Sequence, residues 1–112
     1  MTLKRVILEM GTGNDLHGGD YTKAALRAVQ DALHHSSLSM IRTLGLDSKA
    51  MQVEVTIGVQ KPESVDAAAV KASLPHGQVT VKVVEGGLEI FNDAGTGSTV
   101  VANAAAIVRL DV

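Results

Sequence analysis

The sequence predicts a single α+β domain spanning residues 1–112, and three observations carry this prediction. Residues 51–59 alternate apolar and polar side chains without a break, which is the pattern of a strand with one buried face. Residues 21–32 repeat apolar side chains at helical spacing. Residues 100–112 alternate again at the C-terminal end. A chain of 112 residues is also close to the usual size of one domain.

The first strand is predicted from Leu3 to Met10, where the alternation is loose, and a glycine-rich loop is predicted from Gly11 to Gly19. Asp20 suits a helix N-cap, because its carboxylate can accept hydrogen bonds from free N–H groups of the first turn. The small apolar side chains of the helix that follows favour close packing on a sheet; they are Tyr21, Ala25, Ala28, Val29 and Ala32. Two alternatives stay open beyond this stripe: one long helix reaching Gly45, with Leu38, Ile41 and Leu44 on its apolar side, or two shorter helices.

A second, shorter helix is predicted to open at Pro62 and to end near Pro75 and Gly77, with an inner stripe of Val65, Ala68, Ala69 and Ala72. A third strand follows over residues 79–83. Gly86-Gly87 suits a two-residue hairpin turn, after which residues 88–91 return as a fourth strand. A second glycine loop, residues 95–98, precedes the closing strand. The predicted order is therefore β-α-β-α-β-β with one further strand, and with the helices on one face of the sheet.

The core predicted from this composition is thin, and it indicates an oligomer. Only two residues, Tyr21 and Phe91, are aromatic, so small aliphatic side chains must fill the interior. The closing strand is apolar on one face from Val100 to Val112, and largely apolar on the other. A strand that is apolar on both faces is usually covered on both. Two helices cannot supply both covers, so we expect a partner subunit on the second face.

This order of elements resembles the Bacillus chorismate mutase and YjgF-type fold, in topology alone. The resemblance implies a trimer in which three sheets pack into a barrel-like core, with ligand sites in the clefts between subunits. A trimer of this kind fits both the thin core and the two-faced strand. A two-layer ferredoxin-like arrangement is the competing fold.

The bulk composition excludes several classes of function. A formal net charge of −2 and the scarcity of aromatic residues argue against binding to nucleic acid. No apolar run approaches the length of a membrane span, and the N-terminus lacks the layout of a signal peptide. The chain has no cysteine, so disulfides, thiolate nucleophiles and thiolate metal sites are excluded. We therefore expect a cytoplasmic protein.

The sharpest functional feature is the run from Gly11 to Gly18. Asp15 and His17 stand two residues apart, so in an extended loop they could share a hydrogen bond and act as an acid–base pair. Close ligand contacts are expected from the backbone or side chains of Gly11, Gly13, Asn14 and Gly18. The competing interpretation is a tight turn in which Asp15 caps backbone N–H groups. Under it, the chain is a non-catalytic oligomeric module.

Other polar residues carry weaker signals. Asn103 and Arg109 stand among apolar neighbours in the closing strand, and either could line a cleft between subunits or face solvent. A metal site formed by Asp15, His17 and one of His34 or His35 is open, although no ligand spacing supports it. The spacing of the glycines matches neither a dinucleotide fingerprint nor a phosphate-binding P-loop, and no cofactor is indicated.

The run Gly11-Thr12-Gly13-Asn14-Asp15-Leu16-His17-Gly18 resembles the GxGxDxHG signature of a small conserved hypothetical family of bacteria and plants. The likeness covers nearly the whole chain, including residues 83–87 and 100–105. It implies that the motif is worth testing and supplies no reaction. A weaker likeness, residues 10–14 followed by 20–22, is to one repeat of the ring-opening amidohydrolases. Those enzymes use lysine–serine pairs that are missing here, so we do not expect that activity.

Overall fold

The computed structural model describes residues 2–16, 18–34, 45, 50–74 and 77–111. Within them the elements follow the predicted order. They are β1 (Leu3–Asp15), α1 (Tyr21–His34), β2 (Gln52–Val59), α2 (Ala67–Ala72), β3 (Gln78–Glu85), β4 (Leu88–Phe91) and β5 (Ser98–Asp111), with a 3₁₀ turn over Pro62–Ser64 ahead of α2.

The long final strand organises the sheet. β5 lies between β1 and β2 and runs antiparallel to both, while β3 pairs in parallel with the outer side of β2. β4 pairs with the first residues of β5, beyond the point where β2 ends. The described residues therefore form a mixed α+β structure with five strands in one sheet and two helices.

Helix α1 forms as the sequence predicts. The carboxylate of Asp20 accepts a hydrogen bond from the backbone N–H of Lys23 at 3.0 Å, so Asp20 is the N-cap. The predicted apolar stripe is buried, with Ala24 added to it: Tyr21, Ala24, Ala25, Ala28, Val29 and Ala32. Because four of these six residues are alanine, the helix axis can lie close to β1 and β5.

One face of the sheet carries the core and the other is left open. The covered face lies under α1 and α2, and alternate residues of β2 and β5 are buried there, as the alternation predicts. We call the opposite side of the sheet the open face. No helix or strand of the described residues packs on it. Its side chains are Leu3, Arg5, Leu8, Met10, Thr12, Asn14, Gln52, Glu54, Thr56, Gly58, Gln78, Thr80, Lys82, Val84, Leu88, Ile90, Thr99, Val101, Asn103, Ala105, Ile107, Arg109 and Asp111.

The predicted hairpin at Gly86-Gly87 is wrong. β3 runs parallel to β2, and β4 continues in the same direction to pair with β5, so the two glycines form a sideways step rather than a reversal. Gly87 has a φ of +60°, and a Cβ at this position would lie 2.1 Å from the carbonyl oxygen of Val101. The connection from β3 to β4 crosses the end of β2 and lies directly against the backbone of β5. Glycines are required there because a side chain would have no room.

The predicted inner stripe of the second helix is only partly correct, because Val65 packs against the core but Ala68 and Ala72 are exposed. The chain breaks at the 3₁₀ turn, and α2 begins only after Asp66, whose carboxylate accepts from the N–H of Ala69 at 3.1 Å. This late start shifts the phase of the helix, so Val70 is its buried residue and Ala68 is exposed. The possible continuation of α1 toward Gly45 falls outside the described residues.

Candidate functional site

The glycine motif lies mostly in a strand rather than in a loop. β1 pairs with β5 as far as Asp15, which stands opposite Val100, so Gly11 and Gly13 are both in regular ladder positions. The predicted end of the strand at Met10 is wrong. A run of glycines reads as a loop by local propensity, but the long antiparallel partner holds this segment extended.

The two glycines of β1 allow α1 to pack closely against the strand. A Cβ on Gly11 would lie 2.4 Å from the backbone nitrogen of Ala32, and a Cβ on Gly13 would lie 2.3 Å from that of Ala28. Both distances are too short for a real side chain. Gly11 and Gly13 therefore let α1 rest directly on the backbone of β1, and the close approach that the motif permits is made to the helix.

The carboxylate of Asp15 holds the turn that follows. Asp15 is buried, and its Oδ2 accepts hydrogen bonds from the backbone N–H of Gly18 at 3.2 Å and of Asp20 at 2.9 Å. The hydrogen bond from Asp20 is the main cause that lowers the pKa of Asp15 below its ordinary value of 3.8. Arg27 lies 3.7 Å from Oδ1. This geometry fits the structural interpretation of the motif.

Two side chains of α1 reach the outer edge of β1. Asp31 accepts from the backbone N–H of Thr12 at 2.9 Å, and Arg27 donates to the carbonyl oxygen of Asn14 at 2.5 Å. β1 is an edge strand, and unpaired backbone groups on such an edge can recruit another strand. The predicted ligand residue Asn14 is thus held by its main chain to the helix.

His17 lies outside the described residues, as do His35 and His76. The proposed acid–base role of Asp15 and His17 stays a prediction for that reason. Residues 2–16, 18–34, 45, 50–74 and 77–111 contain no group of three or more histidine or acidic side chains placed to hold a metal ion.

A shallow depression of about 500 Å³ lies on the open face. It forms because Gly58 and Ala105 leave the middle of the sheet low, while Met10 and Val84 stand at its sides. The hydroxyl-bearing residues Thr12 and Thr56 and the carboxamide of Asn103 also contribute to its wall. The remaining lining residues are Gly11, Ala104 and Asp31.

The structure separates the two polar residues predicted in the closing strand. Asn103 lines the depression beside Gly11, which pairs with its neighbour Ala104. Arg109 lies further along β5 on the same face, where it donates to the carboxylate of Glu54 at 2.6 Å. Sequence reasoning therefore found two residues of the depression lining, Gly11 and Asn103, and missed Thr12, Thr56 and Val84, because only the sheet register brings these strands side by side.

Sequence reasoning also missed a polar cluster between α1 and the end of the sheet. The hydroxyl of Tyr21 donates to the carboxylate of Glu89, and the hydroxyl of Ser98 donates to the same carboxylate at 2.8 Å. Burial, together with this acceptor, raises the pKa of Tyr21 to about 12, and the two donors lower the pKa of Glu89. These hydrogen bonds hold β4 against α1. A sequence signal existed in Glu89, a carboxylate on the side of β4 that alternation turns toward the helix.

No helix in the described part of the chain is long and apolar enough to cross a membrane. The chain has the fold of a crystallised FtsZ-like protein of unknown function from Nostoc punctiforme, with a TM-score of 0.85 and 35% sequence identity over 100% of this chain and 99% of that one. Among curated proteins, none matches. The model of a conserved hypothetical protein family, Lin0512_fam, matches residues 5–108. Neither the structural neighbour nor the family match indicates a specific activity, and the family match shows that this chain belongs to the Lin0512_fam family of conserved hypothetical proteins.

Proposed function

We propose that this protein binds a small molecule in the depression on the open face. The observation that carries the proposal is the combination of size and lining. Ligand pockets typically measure about 300–1,000 Å³ and are mostly apolar with a few polar groups that orient the ligand. The depression measures about 500 Å³ and combines an apolar wall with two threonines and one asparagine.

The lining also suggests the class of ligand. Thr12, Thr56 and Asn103 are neutral donors and acceptors, whereas Asp31 is the one charged residue of the described lining and already accepts from the N–H of Thr12. A site of this kind favours a neutral molecule with an apolar body and an amide-like polar group. Because none of these neutral groups titrates near neutral pH, the proposal is for binding rather than acid–base catalysis.

A test uses benzamide and related neutral aromatic amides as probes, followed by NMR of the isotope-labelled protein. We expect shifts of backbone amide signals to concentrate at Thr12, Thr56 and Asn103. The variant Ala105→Leu places a larger side chain in the floor of the depression and should weaken binding roughly tenfold or more, since the probe and the new side chain would compete for the same volume.

Thr80→Leu is the matched control. Thr80 is exposed on β3 on the same face, opposite Glu54 and outside the depression lining, so this variant adds a similar apolar side chain without filling the site. It should bind the probes as the natural chain does. Shifts confined to other parts of the molecule, or undiminished binding by Ala105→Leu, would show that the depression is not the site.

A further inference from the structure

Large apolar side chains are exposed on the open face along β1 and along β4. Met10 on β1 is 68% exposed, and Leu88 and Ile90 on β4 are 58% and 59% exposed. Val101 stands beside Leu88 in the ladder, and Leu8 extends the patch along β1. Scattered apolar residues on a surface need no explanation, but Leu88, Ile90 and Val101 are neighbours beside β4, and Leu8 and Met10 lie next to Ile107 and Ala105 on the same face. Contiguous apolar patches of several hundred Å² mark contact surfaces.

The size of the face matches that of a stable protein contact. Four strands about 4.8 Å apart, paired over some eight residues at about 3.3 Å each, span roughly 19 by 26 Å, or about 500 Å². The end where β4 and β1 lie on either side of β5 adds about 200 Å² on the same spacings. These are flat projections, and the side chains standing on them raise the accessible area toward the ~800 Å² per partner of a standard stable interface.

The charge of the face favours a second copy as the occupant. From the level of Thr12 and Val84 to Ile90 at the β4 end, the side chains listed above for the open face are all neutral, so two copies would meet there without repulsion between like charges. Charged side chains lie outside this part of the face: Arg109 and Glu54 neutralise each other at 2.6 Å, and Lys82, Arg5 and Asp111 lie on β3, on β1 and at the end of β5. The apolar side chains of the face are concentrated on β1, β4 and β5, and apolar surface of this kind is typical of permanent contacts between identical chains.

From these observations we propose that the open face is the contact surface between copies of this chain. Burying it removes exposed apolar area that the single chain leaves in water, and it supplies the second cover for β5. The depression then becomes a cavity between subunits, closed by the neighbouring copy. This contact does not depend on the proposed ligand, because Ile90 lies outside the depression and can be altered without touching its lining.

Sedimentation equilibrium and light scattering of the full chain test the proposal. The natural chain should show a mass of two or more 11.6 kDa subunits. The variant Ile90→Asp should weaken self-association by roughly 100-fold or more, since an unpaired carboxylate would be buried in the contact. Met10→Lys, on the opposite edge strand, should act in the same direction.

Phe91→Asp is the matched control. Phe91 follows Ile90 directly on β4 and is equally exposed at 59%, but alternation turns it to the other side of the sheet. It should leave the mass unchanged. Circular dichroism checks that each variant is folded, which their surface positions favour. A natural chain that sediments as a monomer, an assembly that survives Ile90→Asp, or equal dissociation by Phe91→Asp would each overturn the proposal. A variant that loses benzamide binding but keeps the mass of the assembly would bear only on the depression, because its self-association is then intact.

Discussion

Replacing Gly11 by alanine should destabilise the protein strongly, although the change adds a single methyl group. The new Cβ would lie 2.4 Å from the backbone nitrogen of Ala32 and 2.5 Å from the carbonyl oxygen of Ala28. Ordinary contacts of this kind begin at 3.4 Å, so α1 must move away from β1 by about 1 Å. Backbone atoms form both sides of the contact, and no rotamer change can relieve it.

The expected cost is about 3 kcal/mol, at the upper end of the range for overpacked cores, because α1 packs on the sheet through fully buried alanines. For a chain of this length this corresponds to a fall in Tm of roughly 12 °C. Urea and thermal unfolding followed by circular dichroism measure both quantities. Adding Ala32→Gly should not restore stability, since the clash is with the backbone of residue 32 and not with its side chain.

Gly18→Ala is the control. Its Cβ would meet only the carboxylate of Asp15, at 3.2 Å, and would touch no helix backbone. We expect a much smaller effect there. If Gly11→Ala unfolded within about 3 °C of the natural chain, a shift that corresponds to less than 1 kcal/mol, the assignment of Gly11 to helix packing would be refuted. A ligand-binding role for this glycine would then regain support.

Two further predictions concern titrating groups. The stabilisation from Asp15 should be present above its ordinary pKa of 3.8 and be lost as the pH falls through the lower pKa of the folded state. The variant Asp15→Asn should therefore be less stable than the natural chain at neutral pH, and the two stabilities should converge in acid. Urea unfolding at several pH values measures this difference. Tyr21, the single tyrosine in a chain without tryptophan, should ionise near pH 12, and stability should fall between about pH 10 and 12 because the unfolded chain releases this proton first. Glu89→Gln should bring the phenolate absorbance transition toward pH 10, and an unshifted transition would contradict the role of the hydrogen bond.

The candidate site was only partly predictable from sequence. Local chemistry identified Asp20 as a cap and Asp15 as a residue suited to holding a turn, because both interactions span a few residues of chain. It also singled out Asn103 as a polar residue in an apolar strand. It could not place Thr56 and Val84 beside Asn103, since their proximity depends on which strands pair and in which register.

The sequence by itself determined which segments form the main strands and helices and, for β2, α1 and β5, which face is buried. Alternation and helical spacing are local properties, and they correctly predicted the core side of β2, α1 and β5. Only the tertiary structure decided the use of the glycines. Gly11 became part of a strand because β5 pairs along it and α1 presses on it, and Gly87 became a sideways step because β4 joins β5 instead of returning along β3. A glycine tolerates a loop, a strand and a close contact equally well, so the neighbours that the fold brings to it decide which of the three it adopts.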